Sequence, residues 1–144
     1  MPNRSVRTIV EGQKVVELPA DCTVDVAART MKECRIGAVL VVEGGRLAGI
    51  FTERDALFRV LAEARDPNTT QLAEVMTPHP QTIAPDQPFG HALHMMYEGG
   101  FRHVPVVENG TPVGIVSSRD ALGPELGEFV AELGDRERIG EILG

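Results

Sequence analysis

Residues 39–56 read VLVVEGGRLAGIFTERDA, and residues 104–121 read VPVVENGTPVGIVSSRDA. The match continues without a gap at a constant shift of 65 positions, so that residues 15–56 pair with 80–121 and about a third of the pairs are identical. A tandem match of this length indicates two copies of one supersecondary unit. Any site that one copy builds should therefore have a near-twin in the other.

The composition excludes several classes of protein. The 144 residues are 42% apolar and 24% charged, as in an ordinary folded domain. A net charge of −7 argues against a nucleic-acid-binding protein, because such proteins depend on clustered Lys and Arg. The apolar stretches fall well short of the roughly 20 residues of a membrane span, and the N-terminus lacks the apolar core of a secretion signal. We therefore expect a cytoplasmic protein with no membrane or nucleic-acid partner.

Cysteines and histidines give weak signals. Cys22 and Cys34 form no CxxC pair, so we interpret them as buried thiols in a reducing compartment rather than as a disulfide or metal site. His91 and His94 lie three apart on a predicted helix, but no third ligand follows at metal spacing. The sequence predicts no metal site.

Each copy has the same order of predicted elements. A short strand (15–18 or 81–83) precedes a helix, and a hairpin (38–51 or 103–116) then turns at Gly-Gly or Asn-Gly, which supply the positive φ angles of tight turns. A second helix is expected at once, from Glu53 and from Ser118. Pro105 cannot donate to a ladder, so we expect its strand to be an edge there or Pro105 to face away from the neighbouring strand. The first helices carry apolar stripes, formed by Val24, Ala27, Ala28 and Met31 and by Phe89, Ala92, Leu93 and Met96.

The predicted fold class is α+β, with two β-α-β-β-α units packed in pseudo-two-fold symmetry. Residues 1–65 form the first repeat with its N-terminal segment, and residues 80–144 form the second repeat with the C-terminal helices. The stretch 66–79 is punctuated by prolines and is predicted to be a linker.

The segments Gly49–Asp55 and Gly114–Asp120 carry the motif G-x-x-[S/T]-x-x-D. One interpretation is structural, because Ser or Thr followed three residues later by Asp resembles a helix-capping box. The other is a ligand site, since the glycine before each hydroxyl leaves space near bare backbone. The sequence alone leaves both open.

With this motif in both copies, the chain resembles a tandem pair of CBS domains, the unit called a Bateman module. Val75–Pro78 and Arg102–Val106 are similar to the family as well. The resemblance covers nearly the whole chain. It implies binding of adenosine-containing ligands, such as AMP, ADP, ATP, NAD(H) or S-adenosylmethionine, in clefts between the repeats, with no required cofactor.

The resemblance also implies roles for single residues. Asp55 and Asp120 would accept hydrogen bonds from ribose hydroxyls, with Thr52 and Ser117 near ribose or phosphate. The adenine would lie against residues around Val16, Leu18, Thr82 and Ile83.

Positive charge for a phosphate should come from Arg102 and His103. Arg offers a planar fork for bidentate bonds. The matching Gly37-Ala38 carries no charge, although Arg35 is nearby, so we expect two unequal clefts. Arg54 and Arg119 begin helices, where the dipole disfavours cations, which favours a ligand or an acidic partner for them. A solvated strand start is the alternative for Arg102 and His103.

No nucleophile elbow or phosphate-cradling glycine loop is visible, so we expect a regulatory module rather than an enzyme. Such a sensor would act on an unknown partner protein, as a homodimer. A scaffold with empty clefts is the main alternative, and an enzyme acting on bound nucleotide is a third. An apolar helical stripe would be core or a dimer face, and it comprises Leu122, Leu126, Phe129, Val130, Leu133, Ile139, Ile142 and Leu143.

Overall fold

The computed structural model describes residues 4–143, with side chains described for residues 4–134 except Pro124. The helices are α1 (Val6–Val10), α2 (Val24–Cys34), α3 (Glu53–Asp55), α4 (Leu72–Val75), α5 (Phe89–Gly99) and α6 (Gly123–Leu143). The strands are β1 (Glu17–Leu18), β2 (Ala38–Glu43), β3 (Arg46–Thr52), β4 (Thr77–Pro78), β5 (His103–Glu108) and β6 (Thr111–Ser117). A π-helical turn (Ala56–Leu61) continues α3, and a 3-10 turn (Ser118–Asp120) follows β6.

Both predicted hairpins are present, and they are closely alike. The pairs β2–β3 and β5–β6 are antiparallel, and each has an irregularity at the same place, after Val41 and after Val106. Their turn residues have positive φ angles, 59° and 76° at Gly44-Gly45 and 53° and 81° at Asn109-Gly110. This is the geometry that two-residue hairpin loops require, and it confirms the prediction from the glycine positions.

The first strand differs between the repeats because of Pro105. In the first repeat the N–H of Leu40 donates to the carbonyl of Val16, and β1 pairs in parallel with β2. Pro105 occupies the position of Leu40 and has no N–H to give. The predicted strand at 81–83 is therefore reduced to a single bridge between Ile83 and Val106. Strand β5 is an edge of the two-stranded β5–β6 sheet, as Pro105 predicted.

The second helix follows β3 at once, through α3 and the π-helical turn, but not β6. After the 3-10 turn, Ala121 adopts an extended conformation (ψ 127°), and α6 begins at Gly123. A proline at position 124 favours a fresh helix start in this region. The expectation of a helix running on from Ser118 was therefore wrong.

The segment that precedes each repeat packs on the other repeat. β4 pairs with β3, whereas α1 packs on β6. On β6, the Gln13 side chain makes the pair of hydrogen bonds that a neighbouring strand would make. It donates to the Ile115 carbonyl (3.0 Å) and accepts from the Ile115 N–H (2.9 Å). This reciprocal arrangement is what two copies related by a two-fold axis produce.

The motif glycines serve this packing. A Cβ on Gly114 would lie 2.7 Å from the Val10 side chain, and one on Gly49 would lie 2.9 Å from the Thr77 carbonyl oxygen. Both distances are shorter than real Cβ contacts allow. The expectation that these glycines leave space for a ligand was wrong, since protein already fills the space.

The repeats have separate cores and share a third. The helix stripes face these cores, except that Ala28 is exposed. Between the repeats, Ala38, Leu40 and Ile50 pack with Ile115 of the second repeat. The shared cluster holds β3 and β6 together and leaves a cleft on either side.

An ion pair fixes the start of α6. The Arg4 guanidinium donates to both carboxylate oxygens of Glu125 (2.7 and 3.1 Å) and to the carbonyl of Asp120 (2.7 Å). The hydrogen-bonded Arg4 holds the pKa of the buried Glu125 carboxyl below its usual value, against the effect of burial.

Within the described residues, no helix is long and apolar enough to cross a bilayer. The same part of the chain contains no group of three or more His, Cys, Asp or Glu side chains placed to hold a metal ion. Both cysteines are free, and Cys34 is exposed rather than buried because it ends α2.

Candidate functional site

Two clefts lie between the repeats. The Asp120 cleft has a volume of about 340 Å³ and combines the second motif (Ser117–Asp120) with 13–16 and 35–38 of the first repeat. The Asp55 cleft, of about 440 Å³, combines the first motif (Thr52–Asp55) with 79–81 and 99–103. Adding 65 to the first-repeat positions of the Asp120 cleft, and subtracting 65 from its second-repeat positions, gives most of the Asp55 cleft, so the clefts are twins. Both volumes lie in the range of small-molecule sites, roughly 300–1,000 Å³.

The capping interpretation of the motif is confirmed in both copies. The Thr52 N–H and hydroxyl donate to Asp55 Oδ2 (2.9 and 3.1 Å), and the Ser117 N–H donates to Asp120 Oδ2 (2.7 Å). Each carboxylate therefore fixes the turn that carries it. Capping and ligand binding are compatible, because a carboxylate has a second oxygen to offer.

That second oxygen differs between the copies. Asp55 is 8% exposed, and its Oδ1 lies 3.5 Å from the Arg59 guanidinium. Asp120 is half-buried, and its Oδ1 accepts no hydrogen bond from the part of the chain that the structure describes. Asp120 is thus better prepared to accept hydrogen bonds from a ligand.

The charges also differ. The Asp120 cleft contains four cations, Lys14, Arg35, Arg102 and Arg119, against the two carboxylates Glu53 and Asp120. None of these cations forms an ion pair within 4.0 Å with a described side chain. The Asp55 cleft has two cations, Arg54 and Arg102, against two carboxylates, Glu53 and Asp55. In a chain of net charge −7, the Asp120 cleft stands out as positive.

Arg35 occupies a strained position. Its φ angle is 54°, in the left-handed region, where α2 ends. The matching residue in the second repeat is Gly100, with φ 73°. A side chain in this region costs roughly 1–2 kcal/mol that glycine avoids. The first repeat therefore keeps a cation at the Asp120 cleft at the expense of local stability.

Three residues, Glu53, Arg102 and His103, line both clefts, and we call them the shared wall. The wall lies against Gly37, where an added Cβ would be 3.1 Å from Glu53 Oε1 and 3.4 Å from His103 Nε2. Burial lowers the pKa of His103, and Arg119 and Arg102 lower it further, whereas Glu53 and Asp120 act in the opposite direction. The lowered pKa favours the neutral form of His103, which can both donate and accept a hydrogen bond.

Most of the predicted site residues lie in the clefts. Asp120, Ser117, Arg119 and Val16 line one cleft, Asp55, Thr52 and Arg54 line the other, and Arg102 and His103 line both. The expectation that Arg102 and His103 distinguish the two clefts was wrong, because they lie on the boundary. The difference comes from Lys14 and Arg35, whose counterparts are His79 and Gly100.

Leu18, Thr82 and Ile83 line neither cleft. Leu18 packs against the first core, Ile83 is buried in the second, and Thr82 is exposed at the surface. The residues that line the clefts instead lie about two positions earlier in the chain than the predicted ones. They are Val15, Val16 and Ile36 in the Asp120 cleft, and Pro80, Gln81 and Phe101 in the Asp55 cleft. The residues of one cleft match those of the other at the 65-residue shift. The internal repeat could therefore have predicted that they occupy equivalent places.

The comparisons with known proteins agree with this architecture. The family model of the CBS domain matches residues 6–62 and 72–123. A curated relative, the CBS domain-containing protein CBSCBSPB3 of Arabidopsis thaliana, is 34% identical over 100 residues, which are 69% of this chain and 18% of that protein. The chain thus spans less than a fifth of that relative's length.

Solved structures match over most of their length. One is a signal-transduction protein with CBS domains from Burkholderia ambifaria, described by its authors as putative, at 32% identity and a TM-score of 0.77, covering 81% of this chain and 90% of that one. Another is the CBS domain protein PAE2072 from Pyrobaculum aerophilum, complexed with AMP, at 25% identity and a TM-score of 0.78, covering 89% and 99%. The two matched segments, the repeated hairpins and the twin clefts lead to one conclusion: the chain belongs to the CBS-domain family.

Proposed function

We propose that this chain is a regulatory module that binds adenosine-containing nucleotides in the clefts between its CBS repeats and transmits the bound state to a partner protein. The observation that carries the proposal is the Asp120 cleft, where an unengaged carboxylate oxygen lies beside an excess of positive charge. The AMP complex of the similar protein PAE2072 supports the same class of ligand.

Each part of a nucleotide has a complementary group in this cleft. Asp120 accepts hydrogen bonds from the ribose diol, because a carboxylate accepts from neutral hydroxyls and repels an anionic phosphate. The apolar side chains of Val15, Val16 and Ile36 cover the adenine. Arg102, with Lys14, Arg35 and Arg119, binds the phosphates, and His103 and Ser117 add neutral hydrogen bonds.

The module acts without catalysis in this proposal, in the cytoplasm and as a homodimer. Ligands are AMP, ADP or ATP, with NAD(H) and S-adenosylmethionine as further members of the class. A partner protein reads the change in shape that the ligand stabilises, since a ligand shifts an equilibrium only by its different affinity for the two states.

A scaffold function is the second candidate, and an observation favours it. Among the residues whose side chains the structure describes, several large hydrophobic side chains are about half exposed or more, namely Leu57, Phe58, Leu61, Tyr97, Leu122, Leu126 and Val130. Soluble monomers rarely expose clustered apolar side chains without a partner. In this alternative the clefts stay empty and the apolar surface is the functional part.

A thermal-shift panel with adenosine, AMP, ADP, ATP, NADH and S-adenosylmethionine separates the candidates. A ligand of the folded state at about 100 times its dissociation constant adds roughly 2.7 kcal/mol of stability, or about 5–11 °C for a domain of this size. An unchanged melting temperature with every member of the panel would favour the scaffold. Nucleotide breakdown in the same tubes would instead indicate an enzyme.

A further inference from the structure

The shared wall links the two clefts, and this bears on how many nucleotides the chain holds. Glu53, Arg102 and His103 face both clefts, whereas each motif carboxylate faces one. Resting on the proposed function, we infer that the clefts compete for this wall, so that the chain binds one phosphate-bearing nucleotide tightly, in the Asp120 cleft, and a second one weakly.

The argument begins with charge. A phosphate in the Asp120 cleft meets four cations and two carboxylates, so the lining has an excess of positive charge. The Asp55 cleft has two cations and two carboxylates, so its lining has no such excess. Once Arg102 binds the first phosphate, the cation left to the Asp55 cleft is Arg54. Arg54 already donates a hydrogen bond to the Gly100 carbonyl (3.1 Å). A second phosphate therefore meets Glu53 and Asp55 with little compensation.

The position of the wall acts in the same direction. Its three residues lie at the boundary of the two clefts, and a Cβ at Gly37 would come within 3.4 Å of both Glu53 and His103, so these two side chains pack against Gly37 between the clefts. A side chain that turns toward one phosphate therefore leaves the other cleft. Competition of this kind makes the coupling depend on the phosphate and not on the adenosine.

Calorimetric titration of the full chain with AMP and with adenosine tests the inference. In the Asp120→Ala variant, in which the Asp120 cleft is disabled, the titration measures the affinity of the Asp55 cleft alone. In the wild type, the second binding step measures the affinity of the Asp55 cleft when the Asp120 cleft is occupied. We expect the Asp55 cleft to bind AMP at least about five-fold more tightly in the variant than in the second wild-type step, the lower end of typical coupling. With adenosine the two values should agree within about two-fold.

Two controls keep the result interpretable. Arg29→Ala removes an exposed arginine that lines neither cleft, and both AMP steps should remain unchanged. If Asp120→Ala loses its cooperative thermal transition, Asp120→Asn replaces it, because Asn keeps an acceptor for the Ser117 N–H.

The outcomes are distinguishable. Two AMP sites whose affinities are the same alone and together would overturn the inference and leave the proposed function intact. Equal coupling with adenosine would also overturn it, because the wall would then not be competing for phosphate. Failure of both ligands to bind would refute the proposed function and the inference together.

Discussion

At the scale of single residues, the two motif aspartates have different surroundings although both end the same G-x-x-[S/T]-x-x-D motif. Both carboxylates cap their own turn, but Arg59 lies at the second oxygen of Asp55, whereas that of Asp120 is available. The position matching Arg59 is Pro124, which has no charge to offer. A single difference four residues beyond the motif therefore gives Asp55 an arginine neighbour, and we propose that Asp55 is mainly structural whereas Asp120 binds the ligand.

This division of roles predicts a pattern of affinities. Asp120→Ala should weaken adenosine and AMP alike, by roughly 10- to 150-fold, because hydrogen bonds to a charged group are worth about 1.5–3 kcal/mol. Arg102→Ala should weaken AMP and leave adenosine nearly unchanged, since it removes a phosphate contact. Added salt should reduce the preference for AMP, because exposed charges are screened.

Calorimetry on these two variants is the measurement, and Asp55→Ala is the matched aspartate. Asp55→Ala should affect a weaker site, given its existing contacts with Thr52 and Arg59. Equal weakening of both ligands by Arg102→Ala, or no effect of Asp120→Ala on either, would contradict the assigned roles.

The sequence was sufficient for these polar residues because their motif is local: seven positions determine both the cap and the cleft edge. It was insufficient for the apolar walls of the clefts, since Leu18 and Ile83 look as apolar in sequence as Val15 and Val16. Which of them faces a core depends on strand pairing with β2 and β5. Lys14 was overlooked, and Arg35 was noted only as a charge near Gly37-Ala38, because both residues join the Asp120 cleft through packing of the two repeats.

At the scale of elements, the structure depends on an exchange that sequence patterns do not specify. The hairpins were predictable because turn glycines act locally, but the contact of α1 with β6 joins residues about a hundred positions apart. The motif glycines were therefore read as ligand space, when they accommodate the neighbouring segment. Gly114 faces Val10 and Gln13, and Gly49 faces Met76 and Thr77.

This exchange can be tested with one methyl group. Gly114→Ala should lower the free energy of unfolding by about 1–3 kcal/mol, the usual cost of overpacking, or roughly 2–12 °C in melting temperature. The control is Gly127→Ala, which enters open space on α6 and should be neutral or stabilising by up to about 1 kcal/mol. Unchanged stability of Gly114→Ala together with lost nucleotide binding would restore the ligand-space interpretation.

At the scale of the whole molecule, the exposed apolar side chains repeat with the fold. Leu57 and Leu61 lie in the π-helical turn. Their counterparts 65 positions later are Leu122, just before α6, and Leu126, in its first turn. Phe129 of the predicted C-terminal stripe packs instead against α5, with its ring 5.0 Å from that of His94. Ile139, Ile142 and Leu143 lie outside the described side chains. The stripe is thus divided between core and surface.

Two related apolar patches on one chain suit a symmetric dimer, in which the same surface is used by both copies. Light scattering at micromolar concentration should give about twice the 15.6 kDa mass of the chain. Leu61→Glu and Leu126→Glu should each shift the protein toward monomer, because burying an unpaired carboxylate is costly. These side chains are 72% and 49% exposed, so the fold itself should tolerate the change.

The control is Thr69→Glu, at an exposed position of the linker (66–79), and this variant should remain dimeric. A monomeric wild type would refute the dimer, and a dimer unaffected by both glutamates would place the interface on another surface.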